Sequence, residues 1–476
     1  MIPFILTIEV YTTAIPKGGV AVKWFKLMVT VMVCVLVASM VFGQPITLTV
    51  ISRAVRGGVN TQLVEWFEDI VVPAFTAAMK EKGIDVKVEF IQFSGSDEAL
   101  KQQYALDLSV GRGADILGFD GFWIPEFAEA GLVKPLEEIV GPSVWDWEGW
   151  QYIPQGMREI LSYRGKVYGL AAGTDVRVIF YRRDLFQKAG IPEPWQPRSW
   201  EELLETARLI KKQLPGVIPL QINAGTEMGE ATTMQGWFMV LLGTGIHMFD
   251  FESEKWIVEH PGILEALQFY KKVYVDEKLG DARMQLTSGA RAKTFEAFRE
   301  GKIAMLVEGD WFWRSVLAPG SEWAIPNREQ IVGWAKMPAK EPGAGYRGQD
   351  FVSISGGTGF IINPNTRHPD LAWALLSFAM SKEMQIEFQK IQPRIRARVD
   401  VPVIGDPVMS AMAEAVLPLT TVRPMYPEYP KISYQAQLMT ERVISGIMTP
   451  KEAMEAYKEA VIEIVDRERV IIVPTK

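Results

Sequence analysis

An α/β protein with more than one hydrophobic core is the fold the sequence predicts, and three observations carry that reading. β-rich runs alternate with helical ones from about residue 46 onward, the pattern of mainly parallel strands joined by helices. Two long helices open with capping signatures. At 476 residues the chain also exceeds what a single core usually holds, so two or three domains are expected.

Taken in order, Ile46 to Ile51 is a strand. Asn60 to Lys82 reads as a helix interrupted at Pro73 and ended by Gly83, and Val86, Val88 and Phe90 alternate as in a strand. A helix over 97–109, a strand over 114–119 and a Pro-initiated helix over 124–130 follow. Ser199-Trp200-Glu201-Glu202 and Thr449-Pro450-Lys451-Glu452 match the capping box and open helices over 200–213 and 450–468. The chain has no internal repeat and no low-complexity segment.

The N-terminus is set apart from this pattern. Lys23 and Lys26 precede an apolar run from Leu27 to Phe42 and then Gly43, the layout of a secretory signal peptide, with cleavage expected between Gly43 and Gln44. The run is shorter than the 18 or so residues of a spanning helix. Residues 1–22 lack the character of a basic leader, and synthesis is expected to start near Val20 or Val22, leaving 1–21 untranslated. Cys34, the single cysteine, lies inside the apolar run behind Val33, which argues against lipidation. The mature chain then has no disulfide and no thiolate metal site.

Removing residues 1–43 leaves 47 basic against 56 acidic side chains, a net charge of −9 with no basic run. This balance argues against nucleic acid as a partner. Gly343-Ala344-Gly345-Tyr346-Arg347-Gly348 has the spacing of a dinucleotide fingerprint but follows no strand and opens no helix. The histidines, His247, His260 and His368, have no second ligand at metal spacing, and the serines of 353–359 have no neighbouring histidine to activate them. No cofactor or metal is expected.

What stands out is aromatic residues beside carboxylates. Phe119-Asp120-Gly121-Phe122-Trp123 follows one expected strand, and Glu308-Gly309-Asp310-Trp311-Phe312-Trp313 follows the run 302–307. Ligands of α/β sheets collect at the carboxyl ends of strands. Indole rings cover the apolar faces of sugars while carboxylates bind the hydroxyl rim, so a carbohydrate suits these residues. Trp123 and Trp311 read equally as ligand platforms or as core, whereas Trp145, Trp147 and Trp150 read as surface packing.

From Ile46 to Glu468 the chain resembles the carbohydrate-type extracellular solute-binding proteins of ABC importers, the maltose-binding-protein-like family. The resemblance rests on Tyr163-Arg164-Gly165-Lys166-Val167-Tyr168-Gly169-Leu170, on Phe180-Tyr181-Arg182-Arg183-Asp184-Leu185-Phe186, on Phe298-Arg299-Glu300-Gly301-Lys302-Ile303-Ala304-Met305, on Arg423-Pro424 and on 445–453, in that order. It implies a two-lobed type II periplasmic-binding-protein fold whose chain crosses between lobes three times, with a ligand cleft at the hinge. The first lobe would hold 46–172 plus 334–378 and the second 173–333 plus 379–470. Transferred by position, the sugar contacts would be Phe119, Asp120 and Trp123 in the first lobe, Asp175 past the first crossing, and Trp311 as platform. Arg56, Glu230, Gly357 and Tyr429 fall in segments that reach the ligand. Arg56 and Arg177 would bind an acidic group on the ligand or pair with Asp120 or Asp175. The implied partners are a small-molecule carbohydrate and the permease subunits of an ABC importer; the implied place is the periplasm or exterior, and the implied state a monomer. The competing function is a secreted glycosidase using Asp120, Asp175 or Glu308 as paired carboxylates.

Overall fold

The computed structural model describes residues 46–475. The expected signal peptide and Cys34 lie outside the described residues. No helix among them is long and apolar enough to cross a membrane.

Two sheets organise two sets of cores. The first has the order 86–92, 46–52, 116–120, 357–362, 169–174. The strand Ile46–Ser52 runs parallel to both its neighbours, while 357–362 lies antiparallel to 116–120 and to 169–174. The second sheet has the order 332–335, 177–182, 303–309, 218–221. In it Arg177–Arg182 is antiparallel to both neighbours, and Ile303–Gly309 is parallel to Ile218–Gln221. The expectation of mainly parallel strands holds only in part. Parallel pairing belongs to strands joined by helices within one sheet, and the reversed strands are those entering a sheet from the other lobe.

The core residues show where the chain changes lobe. Leu48, Val50, Trp66, Phe75, Ile116 and Leu170 share a core with Phe360, Leu375, Phe388 and Ala397. Ile179, Leu220, Trp237, Tyr270 and Met305 share another with Ala335, Met337, Val352 and Ile354. Residues 334–355, assigned in sequence to the first lobe, therefore pack with the second, because 332–335 pairs with 177–182 and 351–355 pairs with 420–422. Residues 379–397, assigned to the second lobe, contribute Met380, Phe388 and Ala397 to the first. The backbone passes between cores at Thr174–Arg177, at Gly356, and between Ala397 and Met409, which joins a second-lobe core with Val178 and Phe312.

Local chemistry explains the helix ends. The helix expected to break at Pro73 continues: Thr61–Trp66 and Val72–Glu81 are joined by a wider π turn over Phe67–Val71, which absorbs the bond that proline cannot donate. Gly83 at φ +74° ends it. Ser199 accepts from the Glu202 N–H, but Glu202 reaches back to Arg198 N, so this box is half formed. At Thr449 both arms close, with Glu452 accepting from Thr449 N at 2.8 Å and Thr449 Oγ1 accepting from Glu452 N at 3.3 Å. Thr449→Ala is expected to lower stability by about 1 kcal/mol in urea titration, with Thr449→Asn close to wild type.

The glycine-rich 343–348 segment forms an irregular turn with Gly343, Arg347 and Gly348 at positive φ and opens no helix. His247 is buried and pushed down to about 3 by that burial, and His260 caps the helix Pro261–Lys271 through Gly262 N. Among the described residues no cluster of three metal-ligating side chains occurs.

Candidate functional site

The seam between the lobes gathers charged side chains from both. Asp120 ends the first-lobe strand Ile116–Asp120, and its carboxylate accepts from Arg423 Nη2 of the second lobe at 2.8 Å. Arg423 also donates through Nη1 to Glu230 at 3.3 Å, and its guanidinium lies 4.2 Å from the centre of the Phe122 ring. Glu230 in turn accepts from Tyr429 Oη at 2.5 Å and Ser433 Oγ at 2.6 Å. Tyr429, Ser433 and Gln437 occupy one face of the helix Tyr429–Ile444 at four-residue spacing. Gln437 Nε2 continues the network to Thr233 at 3.2 Å.

A second group surrounds Gly356. Asp175 pairs with Arg177 and accepts from Gly356 N at 2.7 Å. Arg177 Nε donates to Gln235 at 3.3 Å, and Thr174 Oγ1 donates to the Gly356 carbonyl at 2.7 Å. A Cβ built on Gly356 would stand 3.3 Å from Arg423 Nη2 and 3.5 Å from both Arg177 Nη2 and Asp175 Oδ1. The two ion pairs thus meet at one crossing point of the backbone.

Burial decides the protonation here. It pushes the Asp120 carboxyl up to about 6 in spite of Arg423. Burial also opposes ionisation of Asp175, but Arg177 and the Gly356 N–H hold its carboxyl below the usual range. Arg423 stays charged: burial works against it, and Asp120 and Glu230 hold it above its ordinary value.

The stretch after Ile303–Gly309 splits by direction. Asp310 N donates back to the Val176 carbonyl at 2.9 Å, and a π turn over Phe312–Val316 follows. Trp311 stays partly exposed, with the Arg177 guanidinium 4.8 Å from its ring centre. Phe312 and Trp313 enter the core. Asp310 accepts from Arg314 Nε at 3.1 Å, and Arg314 Nη1 reaches Gln392 at 3.1 Å.

Asp120, Asp175, Glu230, Tyr429 and Trp311 are thus linked by two arginines. The other expected site residues stand elsewhere or do something else. Phe119 and Trp123 are 2% and 3% exposed and pack with Tyr104 and Phe127. Strand alternation sends Asp120 outward and Phe119 inward, and the 3₁₀ turn Gly121–Trp123 rotates Phe122 toward the seam and Trp123 away from it. Phe122, 5.9 Å from the Tyr429 ring, is the aromatic side chain of this stretch that meets the second lobe. Arg56 is exposed on the first lobe and pairs with Glu68 and Asp69 at 2.8 and 2.9 Å. Gly357 is a packing position, since a Cβ there would come within 2.6 Å of Ile160.

Arg423 carries weight that its sequence context does not show. Arg423 served there only as part of an Arg-Pro motif, and nothing in its spacing from Asp120, 303 residues away, marks the contact. Trp145, Trp147 and Trp150 form an aromatic group on the first lobe with Trp373, but only Trp145 is exposed as surface packing predicts; Trp150 is buried in the first-lobe core and Trp147 packs half-buried against it.

The chain is similar in sequence and fold to known proteins. A protein of Brucella abortus (strain 2308) described as a binding protein is 27% identical over 336 residues, 68% of this chain and 70% of the relative. The maltotriose-binding protein of Pyrococcus abyssi is 22% identical over 341 residues, covering 70% of this chain and 65% of that one. A crystal structure of an ABC transporter solute-binding protein from Thermotoga lettingae TMO bound with α-D-tagatose superposes with a TM-score of 0.72 at 26% identity. It covers 88% of this chain and 99% of that one. The profile of the bacterial extracellular solute-binding proteins matches residues 60–386, and the chain belongs to that family.

Proposed function

We propose that the protein captures a carbohydrate or related polyhydroxy compound between its lobes and delivers it to the permease of an ABC importer on the outer side of the cytoplasmic membrane. The supporting observation is the seam itself: braced carboxylates and guanidinium groups from both lobes stand beside the partly exposed indole of Trp311. Such groups bind hydroxyls directionally, and the ring covers an apolar sugar face. The tagatose and maltotriose bound by the proteins compared above are compounds of this kind.

Capture follows from differential affinity. The lobes move about the crossings at Thr174–Arg177, Gly356 and 397–409, and a ligand touching both faces favours the closed arrangement over the open one. No bond need break. Of the carboxylates a glycosidase would use, Glu308 is wholly buried beneath Asn223 and Arg291, and Asp175 is held by Arg177.

The test is thermal denaturation of residues 44–476 against mono- and oligosaccharides, sugar acids and polyols, with the sugars recovered by chromatography. A ligand of the native state raises the melting temperature by mass action. Trp311→Ala is expected to weaken the successful ligand by about 2 kcal/mol, some thirtyfold in affinity. Cleavage of the sugar would replace this reading with hydrolysis, and no response to any polyhydroxy compound would end it.

A further inference from the structure

The floor of the seam holds guanidinium groups that its carboxylates do not match. Arg394 donates through Nη2 to Thr358 Oγ1 at 3.1 Å, and Thr358 stands opposite Asp120 in the first-lobe sheet. Arg394 Nε is buried with no hydrogen-bond partner. Arg396, 4% exposed, lies 4.0 Å from the Phe388 ring centre and donates through Nη2 to the Gln392 carbonyl, while its Nε and Nη1 also lack partners. Neither arginine forms an ion pair among the described residues, whereas Arg177, Arg314 and Arg423 each have a carboxylate. Their shared environment is visible in the pKa of Arg394, pushed down to about 10 by burial and by neighbouring Arg314, against the weaker opposing pull of Asp310 and Asp175, neither of which is within ion-pair distance. Arg396 is lowered by burial, then by Arg394 and Arg314.

Buried charge without a partner is costly, and a structure that keeps it is incomplete without a counter-charge. The segment lies at the seam, since Thr174 N donates to the Ile395 carbonyl at 3.2 Å. Arg394 keeps partial exposure and stands between Thr358 of the first lobe and Asp310 and Arg314 of the second. Asp310 Oδ2 is likewise without a partner, and burial pushes its carboxyl up against the pull of Arg314. A hydroxyl next to an acid group would donate to that oxygen.

We infer that this floor is an anion subsite and that the ligand is an acidic polyhydroxy compound whose carboxylate or phosphate is held by Arg394, with Arg396 and Arg314 behind it. The inference rests on the carbohydrate reading above and narrows it. A guanidinium fork matches both acid groups, and the neighbouring Thr358 and Asp310 serve the adjoining hydroxyls.

Calorimetric titration at low salt tests it with matched sets: glucose, glucuronate and glucose 6-phosphate; mannitol, mannonate and mannitol 1-phosphate. At least one acid should bind roughly tenfold or more tightly than its neutral counterpart, with the advantage shrinking as salt is added. Whether the carboxylate or the phosphate gains identifies the source. Arg394→Gln should reduce the acid to the level of the neutral sugar, and Arg394→Lys should recover part of the preference. If Arg394→Gln does not fold, the salt dependence of the wild-type matched sets carries the test. Neutral sugars binding as tightly as both acids, or a preference that survives Arg394→Gln, would overturn the subsite and leave the carbohydrate reading standing. Silence from every compound, neutral and acidic, would overturn the acidic-ligand assignment, and the wider panel of oligosaccharides and polyols above then decides the carbohydrate reading.

Discussion

Replacing Trp313 with alanine should lower the stability of the protein by about 3–5 kcal/mol in urea, while Trp311→Ala should change stability far less and act on ligand binding. The two residues are two positions apart and follow the same strand, so the contrast isolates direction from chemistry. Trp313 is 1% exposed, its Nε1 donates to Asp406 at 2.7 Å, and the Arg328 guanidinium lies 4.3 Å from its ring centre. Asp406 also caps the helix Pro407–Val416 by accepting from Val408 N and Met409 N at 2.9 and 3.0 Å. The truncation therefore opens a cavity and strips a donor from the residue that starts that helix. Trp313→Phe should recover most of the packing but not the Asp406 bond. Equal losses from Trp311→Ala and Trp313→Ala would mean that Trp311 is core as well, and would remove the platform from the proposed site.

The stretch Gly309-Asp310-Trp311-Phe312-Trp313 separates what a sequence encodes from what only folding decides. Composition and position flagged the stretch correctly as lying beyond a buried strand, but which indole faces the seam depends on the π turn at Phe312–Val316. Helix and strand periods encode facing; a π turn and the 3₁₀ turn at Gly121–Trp123 break those periods, so the sequence leaves Trp123 open between platform and core and gives no sign that Phe122 faces the seam. Elements set by local chemistry were legible: Ile46–Ser52, Val86–Gln92, Asp97–Ser109 and the capped helix Pro450–Val465 lie within a few residues of expectation. The lobe assignment of 334–355 and 379–397 was not, because it is decided by strand pairing across distant segments, as in Val332–Ala335 on Arg177–Arg182. Arg423 and Arg394 belong to the same class. A single arginine in a loop has no periodicity, and its meaning comes only from the carboxylate, or the lack of one, that folding brings beside it.

Arg423→Met provides the sharper test of the seam, because its effect should depend on pH with a defined sign. Arg423 is shared by Asp120 of one lobe and Glu230 of the other, and removing it leaves two poorly solvated carboxylates without a counter-charge. At neutral pH the expected loss is about 3–5 kcal/mol. In the wild type, burial pushes Asp120 up to about 6, above its ordinary value of 3.8, so the folded chain holds a proton that the unfolded chain has released between those values. The contribution of this group to stability is therefore greatest below about pH 4 and falls as pH rises through 6. Without Arg423 the folded carboxyl moves higher still, and the decline continues above 6. The deficit of the variant should thus be largest at neutral pH and shrink as acid protonates Asp120. Converting those partners as well, in Arg423→Met with Asp120→Asn and Glu230→Gln, should recover much of the neutral-pH loss, since amides can keep the Tyr429 and Ser433 bonds without buried charge. A deficit of the same size at every pH would show that Arg423 acts by covering the Phe122 ring, and not as the charge that binds one lobe to the other.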